Sequence, residues 1–171
     1  MSNLIIVNKD YHNEGALQNV VNYILNDKKT HGISGGRNVL LNCPCEYMEY
    51  VKRYFCKTGG KLIQHFILSF SDDDPILVTE AYEIGYEVCA LYPEYQLVFG
   101  VHQNTEHLHI HWAMNPVNMN NGTKFNFTHD ETCKLLKGAS EILDKYGIAC
   151  NLRFNNEEDT YMLQMADDDI W

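Results

Sequence analysis

Val101-His102-Gln103-Asn104-Thr105-Glu106-His107-Leu108-His109-Ile110-His111-Trp112-Ala113-Met114-Asn115 holds four of the chain's eight histidines. In its second half Leu108, Ile110, Trp112 and Met114 alternate with His107, His109, His111, Ala113 and Asn115. A period of two is that of a strand, so the apolar set faces a core and the histidines share the other face. His109 and His111 flank one apolar residue, and their imidazoles project side by side. Gln96 to His102 is strand-like too, with Leu97, Phe99 and Val101 on the core side and Val98, Gly100 and His102 on the histidine side. Gly100 lacks a side chain where it would face His109 or His111, which is expected to leave room for an ion and a substrate. Three imidazoles converging from two adjacent strands suit a divalent cation with open coordination positions, the catalytic kind of site. Spacing alone leaves open which of the four histidines stands apart, and His107 sits at the loop edge.

The surrounding pattern supplies the elements that must position this hairpin. Leu4 to Asn8 reads as a strand, and Glu14 to Asn26 as a helix with Leu17, Val20, Val21, Ile24 and Leu25 at helical spacing. Ser34-Gly35-Gly36 reads as a loop, Val39 to Leu41 as strand-like, and Pro44 suits the first turn of a helix running to about Cys56. In the strand Ile63 to Phe70, Phe66, Leu68 and Phe70 share one face while His65, Ile67 and Ser69 share the other. A helix follows over Val78 to Leu91, then the histidine hairpin, a turn at Asn120-Asn121-Gly122 and a short strand over Thr123 to Phe127. Asp130 to Tyr146 reads as a helix stopped by Gly147, and Ile148 to Phe154 as a last edge strand. Hairpin strands with helices between them predict an α+β fold, a mainly antiparallel sheet covered by helices. Residues 1–154 form one expected domain, followed by an acidic tail over 155–171.

Composition narrows the function classes. The chain has 171 residues, 45% hydrophobic and 21% charged, with a formal net charge of −10. A generic nucleic-acid binder is not expected, because phosphate contacts need basic surface. The charge is uneven, however. Residues 1–65 carry eight Lys or Arg against five Asp or Glu, while residues 66–107 carry eight acidic residues and no Lys or Arg. A local basic surface is therefore available from Lys28, Lys29, Arg37, Lys52, Arg53, Lys57 and Lys61. No apolar run approaches the ~20 residues that span a bilayer, and Leu4 to Val7 is too short for a secretory signal core. Membrane insertion and secretion are not expected. Six cysteines without second ligand pairs read as reduced residues of a cytoplasmic protein, Cys89, Cys133 and Cys150 in its core.

His-x-x-x-x-His-Leu-His-Ile-His followed by Asn115-Pro116-Val117-Asn118 and Asn121-Gly122-Thr123-Lys124 resembles the third motif of plasmid and conjugative-element relaxases. These are mobilisation nucleases of the histidine–hydrophobe–histidine class, and the MOBP-type branch is the most similar. Val20-Val21-Asn22-Tyr23-Ile24-Leu25-Asn26 with Lys28-Lys29-Thr30 resembles the tyrosine motif of that family. Gln64-His65-Phe66-Ile67-Leu68-Ser69-Phe70 resembles its serine-containing motif, and Thr79-Glu80-Ala81 fits the helix after it. The resemblance covers roughly residues 16 to 147, with three motifs in order.

The resemblance implies a sheet of about five antiparallel strands and a role for each matching residue. Tyr23 would attack a phosphodiester of single-stranded DNA at a transfer origin and become joined to the 5′-phosphate. His102, His109 and His111 would hold a divalent ion, manganese, magnesium or zinc. Ser69 would help position DNA and Asn115 would support the site, while Lys28, Lys29, Arg37 and Lys124 would contact the DNA. Accessory DNA-binding and coupling proteins of a bacterial cytoplasm are the implied partners. Two departures stand out. Members commonly carry an acidic residue two positions after the first histidine, where this chain has Asn104; Glu106 is the candidate to replace it. Such relaxases usually continue into a further region, so an isolated nuclease domain or a reduced protein is expected. Rival readings are a rolling-circle replication initiator, which usually places its tyrosine after the histidines, a cleavage-deficient accessory protein that binds metal and DNA, and a small metal-dependent hydrolase to which Tyr23 would be dispensable.

Overall fold

A computed structural model describes residues 1–155; beyond Asn155 the acidic tail lies outside the described residues. In chain order the elements are β1 (Ser2–Val7), α1 (Ala16–Ile24), α2 (Asp27–Thr30), β2 (Ser34–Arg37), α3 (Pro44–Tyr54), β3 (Gln64–Ser69), α4 (Val78–Cys89), β4 (Leu97–His102), β5 (His109–Met114), α5 (His129–Asp144) and β6 (Cys150–Asn155). The strands form one sheet in the order β2-β4-β5-β3-β1-β6. Every pairing is antiparallel except that of β6 with β1, which is parallel. The fold is α+β as expected, with six strands among the described residues rather than about five.

The two faces of the sheet are built differently. One buries Leu97, Phe99, Val101, Ile110, Trp112 and Met114 with Phe66 and Leu68 against α4 and α5, through Ala81, Ile84, Val88, Leu135, Ala139 and Leu143. Phe66 and Trp112 are cross-strand partners whose rings stack 5.2 Å apart, and Trp112 Nε1 donates to the Gly85 carbonyl at 3.1 Å. Burying each of these large side chains contributes about 2–3 kcal/mol. On the other face Val98 and Ala113 are small, and Leu17, Val20, Val21 and Ile24 of α1 pack there with Cys45 and Met48 of α3. The histidines occupy the same face, toward the opposite end of β4 and β5.

Four local expectations are corrected. Ser34-Gly35-Gly36 belongs to strand β2, not to a loop. Gly35 pairs with Phe99, and a Cβ there would meet that ring at 2.5 Å and the Tyr86 ring at 2.8 Å. Glycine's weak strand propensity is overridden because only bare backbone fits beside Phe99. Val39 to Leu41 forms no strand, and Leu40 and Leu41 are exposed, because β2 ends the sheet and the chain turns off its edge. Thr123 to Phe127 contributes a single bridge, Lys124 to Val117, instead of a strand. All six cysteines are free, but Cys133 is exposed on α5 and not part of the core. Gly147 ends the α5 region at φ +70°, the left-handed conformation that favours glycine. Among the described residues no helix is long and apolar enough to cross a membrane.

Candidate metal centre and active site

Strand register brings the serine-containing strand and the histidine hairpin together. His102 pairs with His109, Gly100 with His111, and Ser69 with His109 from the other side. Directly paired residues share a face, so Ser69, His102, His109 and His111 form one patch. His102, His109 and His111 are all buried, and each offers one nitrogen within 4.8 Å of the others.

Each ring has one nitrogen anchored and one left over. His102 Nε2 donates to the Ile24 carbonyl at 3.0 Å, which leaves Nδ1. His109 Nδ1 donates to the His107 carbonyl at 2.9 Å, which leaves Nε2. His111 Nδ1 lies 3.0 Å from His65 Nε2, which leaves its own Nε2. His102 Nδ1 and His111 Nε2 are buried without a hydrogen-bond partner. Burying such a group unpaired costs about 1–3 kcal/mol, and a cation is the partner that three converging lone pairs fit. Burial holds all three histidines neutral, with His102 pushed down to about 3 by burial and then by His109. Neutral imidazole is the ligand form. The residues present therefore fit a divalent ion with remaining positions open to a substrate oxygen.

His107 is the histidine that stands apart. It is exposed, and its Nδ1 lies 2.9 Å from Asp72 Oδ1. Its backbone carbonyl nonetheless orients His109.

Tyr23, in the last turn of α1, is half-buried with its ring 5.3 Å from those of both His102 and His111. Lys29, expected on a basic surface, is buried instead, with its Nζ 4.2 Å from the centroid of the Tyr23 ring. Asn26 Oδ1 accepts from the Lys28 N–H at 2.9 Å, which stops α1 and turns the chain into α2, carrying Lys29 back to the tyrosine.

Gly100 permits this approach, but not for the expected reason. A Cβ at Gly100 would meet the Ile24 carbonyl oxygen at 2.1 Å and Thr30 Cγ2 at 2.9 Å. The space that glycine frees holds the end of α1, and neither an ion nor a substrate.

Other expected residues lie elsewhere. Asn115 is buried at the far end of the histidine face. Its Oδ1 accepts from Lys52 Nζ at 2.6 Å and from the Val117 N–H at 3.2 Å, and its Nδ2 donates to the Met48 carbonyl and Gln96 Oε1. It ties α3 to the sheet and meets no histidine. Lys52, expected on a basic surface, is buried in that network, and burial pushes its ammonium down to about 7. Arg37 pairs with Leu97, on the sheet face opposite the histidines. Lys124 Nζ donates to the Gly59 carbonyl at 2.5 Å, near the Asn115 end. Glu106 is exposed in the loop between β4 and β5, and Lys28 is exposed at the start of α2. The sequence by itself assigns His65 no firm role and does not single out Tyr11 or the Ile24 carbonyl. Strand alternation did place His65 beside Ser69; nothing local marks the other two.

Comparison with known proteins gives the same direction. The family described as Relaxase: MobA/VirD2-like, nuclease domain, matches residues 23–148. The chain is 26% identical over 116 residues to Protein rlx of Staphylococcus aureus, covering 64% of this chain and 35% of that protein. It is 33% identical over 73 residues to the group II intron-interrupted relaxase LtrB of Lactococcus lactis subsp. cremoris, covering 42% of this chain and 13% of that protein. The chain thus spans well under two thirds of the length of these relatives. Tyr23, Ser69 and all three clustered histidines fall within the family match, and the chain belongs to the MobA/VirD2-like relaxase family through its nuclease domain.

Proposed function

We propose that this chain nicks single-stranded DNA at the transfer origin of a mobile element through a covalent 5′-phosphotyrosine. The observation that carries the reading is Tyr23 packed against His102 and His111, whose unpartnered nitrogens converge with His109. Tyr23 Oη attacks the scissile phosphorus. The bond from Oη to phosphorus forms, the bond from phosphorus to the 3′-oxygen breaks, the phenolic proton passes to water, and the leaving oxygen takes a proton to become a free 3′-hydroxyl. The phosphodiester energy is kept for religation. Phenol has an ordinary pKa near 10, and the Lys29 ammonium over the ring favours the phenolate that must develop. A divalent ion, manganese, magnesium or zinc, held by His102, His109 and His111 would polarise the phosphate and stabilise charge on its non-bridging oxygens.

Ser69 positions the strand beside His109, and the exposed Lys28 meets its phosphates, while the buried Lys29 acts on Tyr23. Arg37 faces away and has no part in this step. With so few cations at the site, few phosphates are neutralised, so binding is weak and local and falls only shallowly with added salt. Asn104, where the family commonly carries an acid, favours a second reading: an accessory protein that binds metal and DNA without cleaving.

The test is incubation with single-stranded oligonucleotides tiling the element's transfer origin and Mn²⁺, read as a covalent adduct on a denaturing gel. The adduct is expected with the natural chain and absent in Tyr23→Phe and with a chelator. No adduct from a protein that demonstrably holds the ion at its histidines transfers the reading to the accessory protein.

A further inference from the structure

His65 is a buried histidine that the reaction above does not use. It lies on β3 opposite Ala113, diagonal to His111 on the same face. Its Nε2 is 3.0 Å from His111 Nδ1, and its Nδ1 is 3.1 Å from Tyr11 Oη. Two imidazoles share a hydrogen bond only when one nitrogen carries the proton and the other does not. His111 Nε2 is buried without an acceptor, so a proton there would be stranded. The His111 proton therefore belongs on Nδ1, donated to His65 Nε2. His65 must then carry its own proton on Nδ1, donated to Tyr11 Oη. One proton order satisfies the whole row, and it leaves the His111 Nε2 lone pair aimed at the cluster.

From this geometry we infer that His65 and Tyr11 are positioning residues, a neutral relay that fixes the ring and tautomer of His111 for metal binding. The inference rests on the metal site of the proposed function. A carboxylate commonly supports a metal-binding histidine. Here an imidazole and a phenol do so, adding no negative charge, and an anionic ligand such as a phosphodiester meets the full charge of a divalent cation. With Nε2 accepting and Nδ1 donating, the His65 ring in this row carries a single proton and is neutral. Tyr11 is held with unusual care. Its backbone sits at φ +44°, where a bulky L-residue is strained, and its carbonyl is pinned by the Leu62 N–H at 2.9 Å.

The test uses the full chain with His65→Leu, His65→Gln and Tyr11→Phe, folding checked by circular dichroism. Affinity for Mn²⁺ and Zn²⁺ is measured by calorimetry, and the histidine tautomers of the ion-free protein are read by ¹⁵N nuclear magnetic resonance. His65→Leu is expected to weaken metal affinity about 10–100-fold. His65→Gln, whose Oε1 replaces the Nε2 acceptor, recovers most of that loss, and Tyr11→Phe loses less than His65→Leu. The ion-free natural chain carries the His111 proton on Nδ1. Unchanged affinity in His65→Leu, no recovery in His65→Gln, or a proton on His111 Nε2 would overturn the relay. If His65→Leu does not fold, Tyr11→Phe and the tautomer spectrum decide. A natural chain that binds neither ion defeats the metal reading of the site, while the tautomer spectrum still decides the relay.

Discussion

Two ends of the same sheet face bury polar side chains, and they do so in opposite ways. At one end Asn115 uses both halves of its amide, meeting Lys52, Val117, Met48 and Gln96. At the other, His102, His109 and His111 each anchor one nitrogen and hold back the other, two of these buried without any partner. Burial of polar groups is therefore not itself the sign of a site. The satisfied network at the Asn115 end fastens α3 to the sheet. The unsatisfied one at the histidine end holds free energy that only a ligand recovers.

The contrast can be broken by exchanging its two ends. His109→Ala is expected to abolish stoichiometric Mn²⁺ binding in calorimetry while the thermal transition of the ion-free protein barely moves. An ion that still binds with its natural affinity would place the metal elsewhere. Asn115→Ala should do the reverse. It strands Lys52 Nζ, Met48, Gln96 and Val117, and urea denaturation should show a loss of about 3–5 kcal/mol. Metal affinity in the folded variant should stay within about twofold, because distant sites act independently.

Gly100→Ala tests the link between α1 and the histidines. Its methyl would collide with the Ile24 carbonyl, which also orients His102. A stability loss of about 1–3 kcal/mol is expected. Adduct formation at saturating Mn²⁺ should fall further than the folded fraction does, since Tyr23 rides on the displaced turn. Activity that tracks only the folded fraction would separate Tyr23 from this contact.

The smallest effect concerns pH. Lys52 has its folded value lowered from 10.5 to about 7, chiefly by burial. Between those values the unfolded chain holds a proton that the folded chain does not, so stability rises with pH. This contribution is complete above the unfolded value and lost as pH falls through the folded one. From about pH 8 to about pH 9 the gain is at most about 1.4 kcal/mol. Lys52→Met should flatten that rise in denaturation measured at the two pH values.

Much of this architecture is legible in the chain because alternation is a local property. His109 and His111 share a face with Ser69 and His65 in any register that keeps Leu108, Ile110, Phe66 and Leu68 in a core. The β2 strand was not legible, since glycines carry no pattern and their strand is justified only by the Phe99 ring above Gly35. Lys52 looks like a surface residue in the sequence, where its charge is visible and its burial under Asn115 is not. Tyr23 could be singled out among eleven tyrosines only by resemblance, as helical spacing shows a buried side and not what it is buried against.

The division follows the range of the forces. Alternating side chains settle which residues face the core, because burial acts on neighbours one pleat apart. The direction of each lone pair depends on partners far along the chain: Ile24 is 78 residues from His102, His65 is 46 from His111, and Tyr11 is 54 from His65. A hydrogen bond forms only within about 3 Å and a narrow angle. Only the packed sheet and the close passage of α1 over Gly100 bring those groups to that distance, and they turn a row of histidines into a cluster that could hold an ion.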